Sequence, residues 1–180
     1  MTDQALYELR FPIGEFYIPK EITTSIYQEW LEDIEMLPAK LRTTVEELNA
    51  EQINTVYRPG GWTVKQLVHH LVDSHLNSYT RFKLALTEDK PTIRPYFEDR
   101  WAELPDSVAT PVDVSLNLLD YLHQRWMFVL KALTESDLQR TFIHPESLRE
   151  FTLLETVATY AWHSNHHLAH IQRLIARNNW

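Results

Sequence analysis

The sequence predicts an all-α protein, a four-helix bundle with a long connection between its second and third helices. Three observations carry that expectation. Only three glycines occur in 180 residues, at 14, 60 and 61, too few for a turn-rich β protein. Four segments repeat apolar residues at steps of three and four, the period of a helix with one buried face. The prolines fall mostly between those segments, at 12 and 19, at 59, and at 91, 95, 105 and 111. No single amphipathic helix can bury its own stripe, so four of them specify a bundle. Residues 1–180 read as one domain without internal repeats, and residues 1–21 as an N-terminal arm.

The first helix is expected from about Thr23 to Leu48, with Ile26, Trp30, Ile34, Leu37, Leu41, Val45 and Leu48 on one stripe. Pro38 lies inside it and predicts a kink or short break. The second opens after Gly60-Gly61-Trp62, with Thr63 as N-cap, and runs towards Leu86; Val64, Leu67, Val68, Leu71, Val72, Tyr79 and Phe82 form its apolar face. A connection from Thr87 to Pro111 follows, bearing Tyr96, Phe97 and Trp101. A loop of that length either packs over the bundle or serves as a lid, and it leaves simple up-down order open. The third helix spans roughly Val112 to Leu133. The fourth, Thr152 to Arg177, opens on Thr152 and Glu155, the spacing of a capping box.

Charge and composition exclude several functions. Seventeen basic against twenty-five acidic side chains leave a net charge of −8. A nucleic-acid binder needs a basic face, and so does a protein held by charge on an anionic membrane. Zero cysteines exclude disulfides, thiolate metal sites and a cysteine nucleophile. No stretch approaches the ~20 apolar residues of a membrane span, and MTDQALYELR has no signal-peptide pattern. The expectation is a cytoplasmic protein.

Nine histidines in a chain without cysteine call for an explanation. His163, His166, His167 and His170 crowd the fourth helix, and His69, His70 and His75 the second. Residues i and i+4 share a helix face, which pairs His163 with His167 and His166 with His170. With Leu153 at the centre of the apolar face, His167 falls about 40° away, His163 about 80° and His166 roughly 140°. The pair facing the bundle is therefore His163 and His167, and any third ligand comes from another helix. On the second helix periodicity favours His75, about 20° from the centre, over His70 at about 120°. Two readings stand for these imidazoles: metal ligands, or hydrogen-bonded core residues. His69 and His166 read as exposed and His144-Pro145 as a turn. His123 reads either as a core residue or as a polar group at a pocket.

Phe11-Pro12-Ile13-Gly14-Glu15, Pro38-Ala39-Lys40-Leu41 and Tyr57-Arg58-Pro59-Gly60-Gly61-Trp62-Thr63-Val64 resemble the YfiT-like branch of the DinB superfamily. So do His69-His70-Leu71-Val72-Asp73-Ser74-His75, Arg81-Phe82-Lys83-Leu84, Ile93-Arg94-Pro95-Tyr96 and Trp162-His163-Ser164-Asn165-His166-His167. The matches keep their order across almost the whole chain. The resemblance implies a DinB-type bundle holding a divalent metal on His70, His163 and His167, so it selects His70 where periodicity selects His75. It further implies zinc, with nickel or another first-row metal as alternatives, a homodimer, and metal-dependent hydrolysis. Some members of the branch are bacillithiol transferases, which join a low-molecular-weight thiol to an electrophile.

Three neutral imidazoles leave a divalent ion with an open position, as in catalytic sites. A water held there is lowered to a pKa near ~7, which brings hydrolysis of a small-molecule substrate within reach. The segment is not the zincin His-Glu-x-x-His, because Ser164 stands where the general-base Glu would be. Asp73 and His123 are the candidates for a base, Asp73 equally for a group orienting an imidazole. A thiol needs no base, since a metal deprotonates it outright, so thiol transfer is the second expectation. Arg81 and Arg94 are candidates for substrate recognition or for surface ion pairs. A non-catalytic metal store, sensor or interaction module is the third; its coordination would be completed by protein, for instance by His75 or Asp73.

Overall fold

A computed structural model describes residues 2–180. Four long helices dominate: α2 (Thr24–Val45), α4 (Val64–Thr87), α7 (Val112–Leu130) and α9 (Leu153–Asn178). They lie within three residues of the ends expected from the sequence. Shorter elements join them: α1 (Asp3–Arg10), α3 (Ala50–Ile53), α5 (Glu98–Trp101), α6 (Pro105–Ala109), α8 (Glu135–Leu138) and the antiparallel hairpin β1 (Thr141–His144) with β2 (Arg149–Thr152). Helix starts are set by side chains that take up free N–H groups. Thr63 with Gln66 and Thr152 with Glu155 form capping boxes, and Thr23 accepts from Ile26 N–H.

Helix α2 packs against α7 and α9, and α4 packs against the same two. The consecutive helices α2 and α4 therefore sit diagonally, as do α7 and α9. The long connection 88–111, which drew attention in the sequence, joins neighbours. The diagonal crossings are made by segment 46–63 and by the segment that carries the hairpin. The connection 88–111 is pinned: Gln66 Nε2 donates to the Ala102 carbonyl at 2.9 Å, and Ile93 N–H to the Ile143 carbonyl at 3.0 Å. It covers the outer side of α4, where α6 packs.

The apolar core falls into two halves. One holds Leu37, Leu41, Leu67, Leu71, Leu119, Ile171 and Leu174; the other holds Ile34, Phe82, Trp126, Leu130, Leu153, Val157 and Tyr160. On α4, α7 and α9 the residues between the halves include histidines: His75, His123 and His163 with His167. Helix α2 passes the same level at Ile34 to Pro38. It runs through Pro38 without interruption, so the expected break does not occur.

Candidate metal centre

His70 comes from α4, and His163 and His167 from successive turns of α9. One nitrogen of each ring lies within 4.8 Å of a nitrogen of both others. His70 Nε2 and His163 Nε2 are 3.4 Å apart. Two imidazole nitrogens sharing a tetrahedral ion at ~2.0–2.1 Å are separated by about the same distance. His167 Nδ1 is buried without a hydrogen-bond partner among the described residues. A donor set of three imidazoles drawn together from two helices suits a cation, and the trio fits a divalent metal.

Burial sets the protonation of the trio. It lowers the His70 pKa to about 4, and it pushes His163 and His167 well below the usual value, with the neighbouring imidazoles adding to the shift. All three are neutral at pH 7, the form that donates lone pairs to a metal.

The trio opens on a cavity of about 580 Å³. Its rim is built by the turn before α4, where the Trp62 ring packs on His70 at 4.6 Å between centroids, and by Tyr96 of the 88–111 connection. Arg10, Arg58 and Arg81 also line it, as do Glu98, Asp99 and Glu146. The Nε atoms of Arg58 and Arg81 are buried without partners among the described residues. Arg94 is exposed and does not line the cavity.

His75 is fully buried and directs its nitrogens at His163 and His123 rather than into the trio. Asp73 is also outside the cavity lining. Burial, with the charge of Asp106 of α6 adding to it, raises its pKa to about 6. Neither residue is placed to complete the coordination, and Asp73 is not placed to act as a base at the trio. His123 is buried and does not line this cavity.

Two expectations of exposure are overturned. His69 is 4% exposed, because α6 and the start of α7 cover it; its Nε2–H donates to the Thr110 carbonyl at 3.2 Å while Nδ1 accepts from Ser115 Oγ at 2.7 Å. His166 is 8% exposed, because the N-terminal arm lies across α9: Phe11 packs near its ring, and Trp162 Nε1 donates to the Gly14 carbonyl. Its Nε2 lies 3.1 Å from His170 Nε2, at the cavity wall. His144 closes strand β1 instead of lying in the turn. Of the cavity's tyrosines, Tyr96 was noted as an aromatic of the long connection, whereas Tyr57 and Tyr160 were assigned no role from the sequence, where a buried aromatic looks like ordinary core.

A bundle with a three-histidine centre of this kind defines a class of metal-binding helical proteins. The sequence profile of the DinB superfamily matches residues 33–171, and the chain belongs to that superfamily. A Bacillus mycoides protein named "putative metal-dependent hydrolase" is 54% identical over 173 residues, covering 96% of this chain and 99% of the relative. A Bacillus cereus protein of the same name is 53% identical over the same coverage. Among solved structures, YfiT from Bacillus subtilis superposes with a TM-score of 0.92 at 47% identity, covering 96% of this chain and 99% of that one. It is described as "a probable metal-dependent hydrolase with an unusual four-helix bundle topology".

Proposed function

We propose that the chain is a metal-dependent hydrolase of small molecules, with His70, His163 and His167 holding a divalent ion, zinc in the first instance. The observation that carries this reading is the opening of the trio onto the cavity while His75 and Asp73 are turned away from it. That arrangement keeps a coordination position for substrate and disfavours an inert store. When bound, a divalent ion supplies Lewis-acid polarisation of a substrate oxygen and a nucleophilic water at neutral pH. The protein's own contribution is to keep the ligands neutral, to pack Trp62 against His70, and to present Arg58 and Arg81 to the substrate.

A second reading is transfer of a low-molecular-weight thiol to an electrophile. It is favoured by the make-up of the close cluster, which among the described residues holds three imidazoles and no carboxylate, since a thiol requires no base. The relatives' names support hydrolysis. In either case the protein acts in the cytoplasm as a homodimer. Among the described residues no helix is long and apolar enough to cross a membrane. For the dimer, the support is an apolar stripe along α7 in which Tyr121 is 66% and Phe128 82% exposed.

The test is metal analysis of untagged protein, paired with turnover of ester, amide and electrophilic probes with thiol added or withheld. The expected result is one stoichiometric divalent ion, lost in His163→Ala, and turnover without thiol. Turnover only with thiol would replace hydrolysis by transfer. Failure to bind any metal on titration would overturn both. Light scattering on the same sample checks the dimer mass.

A further inference from the structure

Two imidazoles outside the trio, His75 and His123, form a chain across the bundle that ends on His163. It begins at Pro38, which has no N–H, so the Ile34 carbonyl one turn earlier lacks its helical donor. His123 Nδ1 lies 2.7 Å from that carbonyl oxygen. His123 Nε2 lies 2.8 Å from His75 Nδ1, and His75 Nε2 lies 3.3 Å from His163 Nδ1. Each of the four long helices contributes one member: Ile34 from α2, His123 from α7, His75 from α4 and His163 from α9.

A carbonyl oxygen can only accept, and a neutral imidazole has one donor and one acceptor. His123 therefore donates from Nδ1 and must accept at Nε2. That makes His75 the donor at Nδ1 and the acceptor at Nε2. His163 in turn donates from Nδ1, which leaves a bare lone pair on Nε2, the atom facing His70. We infer that His123 and His75 are positioning residues that hold His163 in the one tautomer able to bind a metal through Nε2, with the direction of every proton set by the carbonyl that Pro38 leaves free.

The surroundings hold the chain in place. The His75 and His123 rings stack at 4.9 Å, and both meet Trp126 edge-on; Tyr160 packs edge-on against His75. Burial keeps the members neutral, lowering the His123 pKa to about 4 and that of His75 well below its usual value. A hydrogen bond from the far nitrogen of a ligating imidazole also fixes its ring and raises its basicity towards the metal. The chain accounts for three features of the sequence at once: a proline inside a helix, and two histidines at the centre of apolar stripes.

The inference rests on the metal-site reading for its consequence but not for its test. Metal-free protein with 15N-labelled histidine is examined by long-range proton–nitrogen correlation, with assignment by single variants. The expected spectrum shows His123, His75 and His163 all protonated at Nδ1, against the Nε2–H form that free histidine prefers. Protonation of His75 or His163 at Nε2 would overturn the relay. Zinc affinity by dye competition gives the second readout. His123→Phe is expected to weaken it about tenfold or more. His75→Gln, whose amide oxygen still accepts from His163, is expected to bind more tightly than His75→Leu. Wild-type affinity in a folded His123→Phe would overturn the relay. A wild-type protein that takes up no zinc would sink the proposed function, while the metal-free spectrum would still decide the tautomers.

Discussion

Arg81 shows how a single side chain on the cavity wall can be assigned a task. Its Nε is buried without a partner, and it joins none of the ion pairs found among the described residues. On the proposed function, a guanidinium that the fold leaves unpaired in the wall of this cavity would anchor an oxygen-bearing group of the substrate. A hydrogen bond to a charged group contributes about 1.5–3 kcal/mol. Arg81→Leu is therefore expected to raise KM by roughly 10- to 150-fold with the smaller effect on kcat. Its melting temperature should be unchanged or higher; a lowered one with unchanged KM would make Arg81 a structural residue. At this scale the sequence was half legible. The His163–His167 pair followed from i, i+4 spacing, and Arg81 was among the candidates. His70 was selected by resemblance alone, for a physical reason. The centre of an apolar stripe leads into the core, where His75 has both nitrogens occupied, whereas a ligand that shares an ion with a cavity belongs at the edge of the stripe. His69 and His166 were misread because an angular count on one helix does not include the loop or arm that covers its outer face.

Helices and turns position those side chains, and the turn before α4 is the most constrained. Tyr57 N–H donates to the Trp62 carbonyl and Gly61 N–H to the Arg58 carbonyl, bringing Trp62 over His70. Gly60 has φ +67°, and a Cβ on Gly61 would lie 2.8 Å from Arg58 Cγ and 3.0 Å from the Tyr57 ring. The Tyr57 ring cannot yield freely, since it packs on His170 at 4.4 Å. Gly61→Ala should destabilise by about 1–3 kcal/mol through overpacking. That corresponds to a fall of roughly 3–10 °C in Tm, measured by thermal unfolding. An unchanged Tm would mean that the turn relaxes without cost. The four long helices were legible because each carries five or more apolar repeats. The hairpin was not: its strands are four residues long, too short to show alternation, and its turn places Leu148 at φ +53°, where a glycine or asparagine would have signalled it. Helix α1 buries no residue, so it has no stripe to read, and its residues were taken only as an arm.

Across the whole molecule, the bundle keeps its imidazoles out of water, and that has a consequence for stability. Burial depresses the pKa of His69, His70, His75, His123, His163, His166, His167 and His170; for His170 the value is about 3 and for His166 about 4. In the unfolded chain the same groups titrate near 6.5. Above that pH neither state binds the protons and the fold has its full stability. Below it the unfolded state binds more protons than the folded state, so stability falls with pH until the folded values are reached, about 4 for His70, His123 and His166 and about 3 for His170. Asp73, raised to about 6, acts in the opposite sense, because the folded state takes its proton first. Asp33, raised by burial, acts with it, so two carboxyls stand against eight imidazoles and the direction of the imidazoles prevails. Metal-free protein is therefore expected to show a Tm that is flat from pH 8 to about 7 and drops progressively between about 6.5 and 4. Divalent metal at pH 7 should raise the Tm, since it binds only the folded state. A Tm independent of pH across that window in chelator would mean that the imidazoles are hydrated and that the polar layer between the two core halves is open to water.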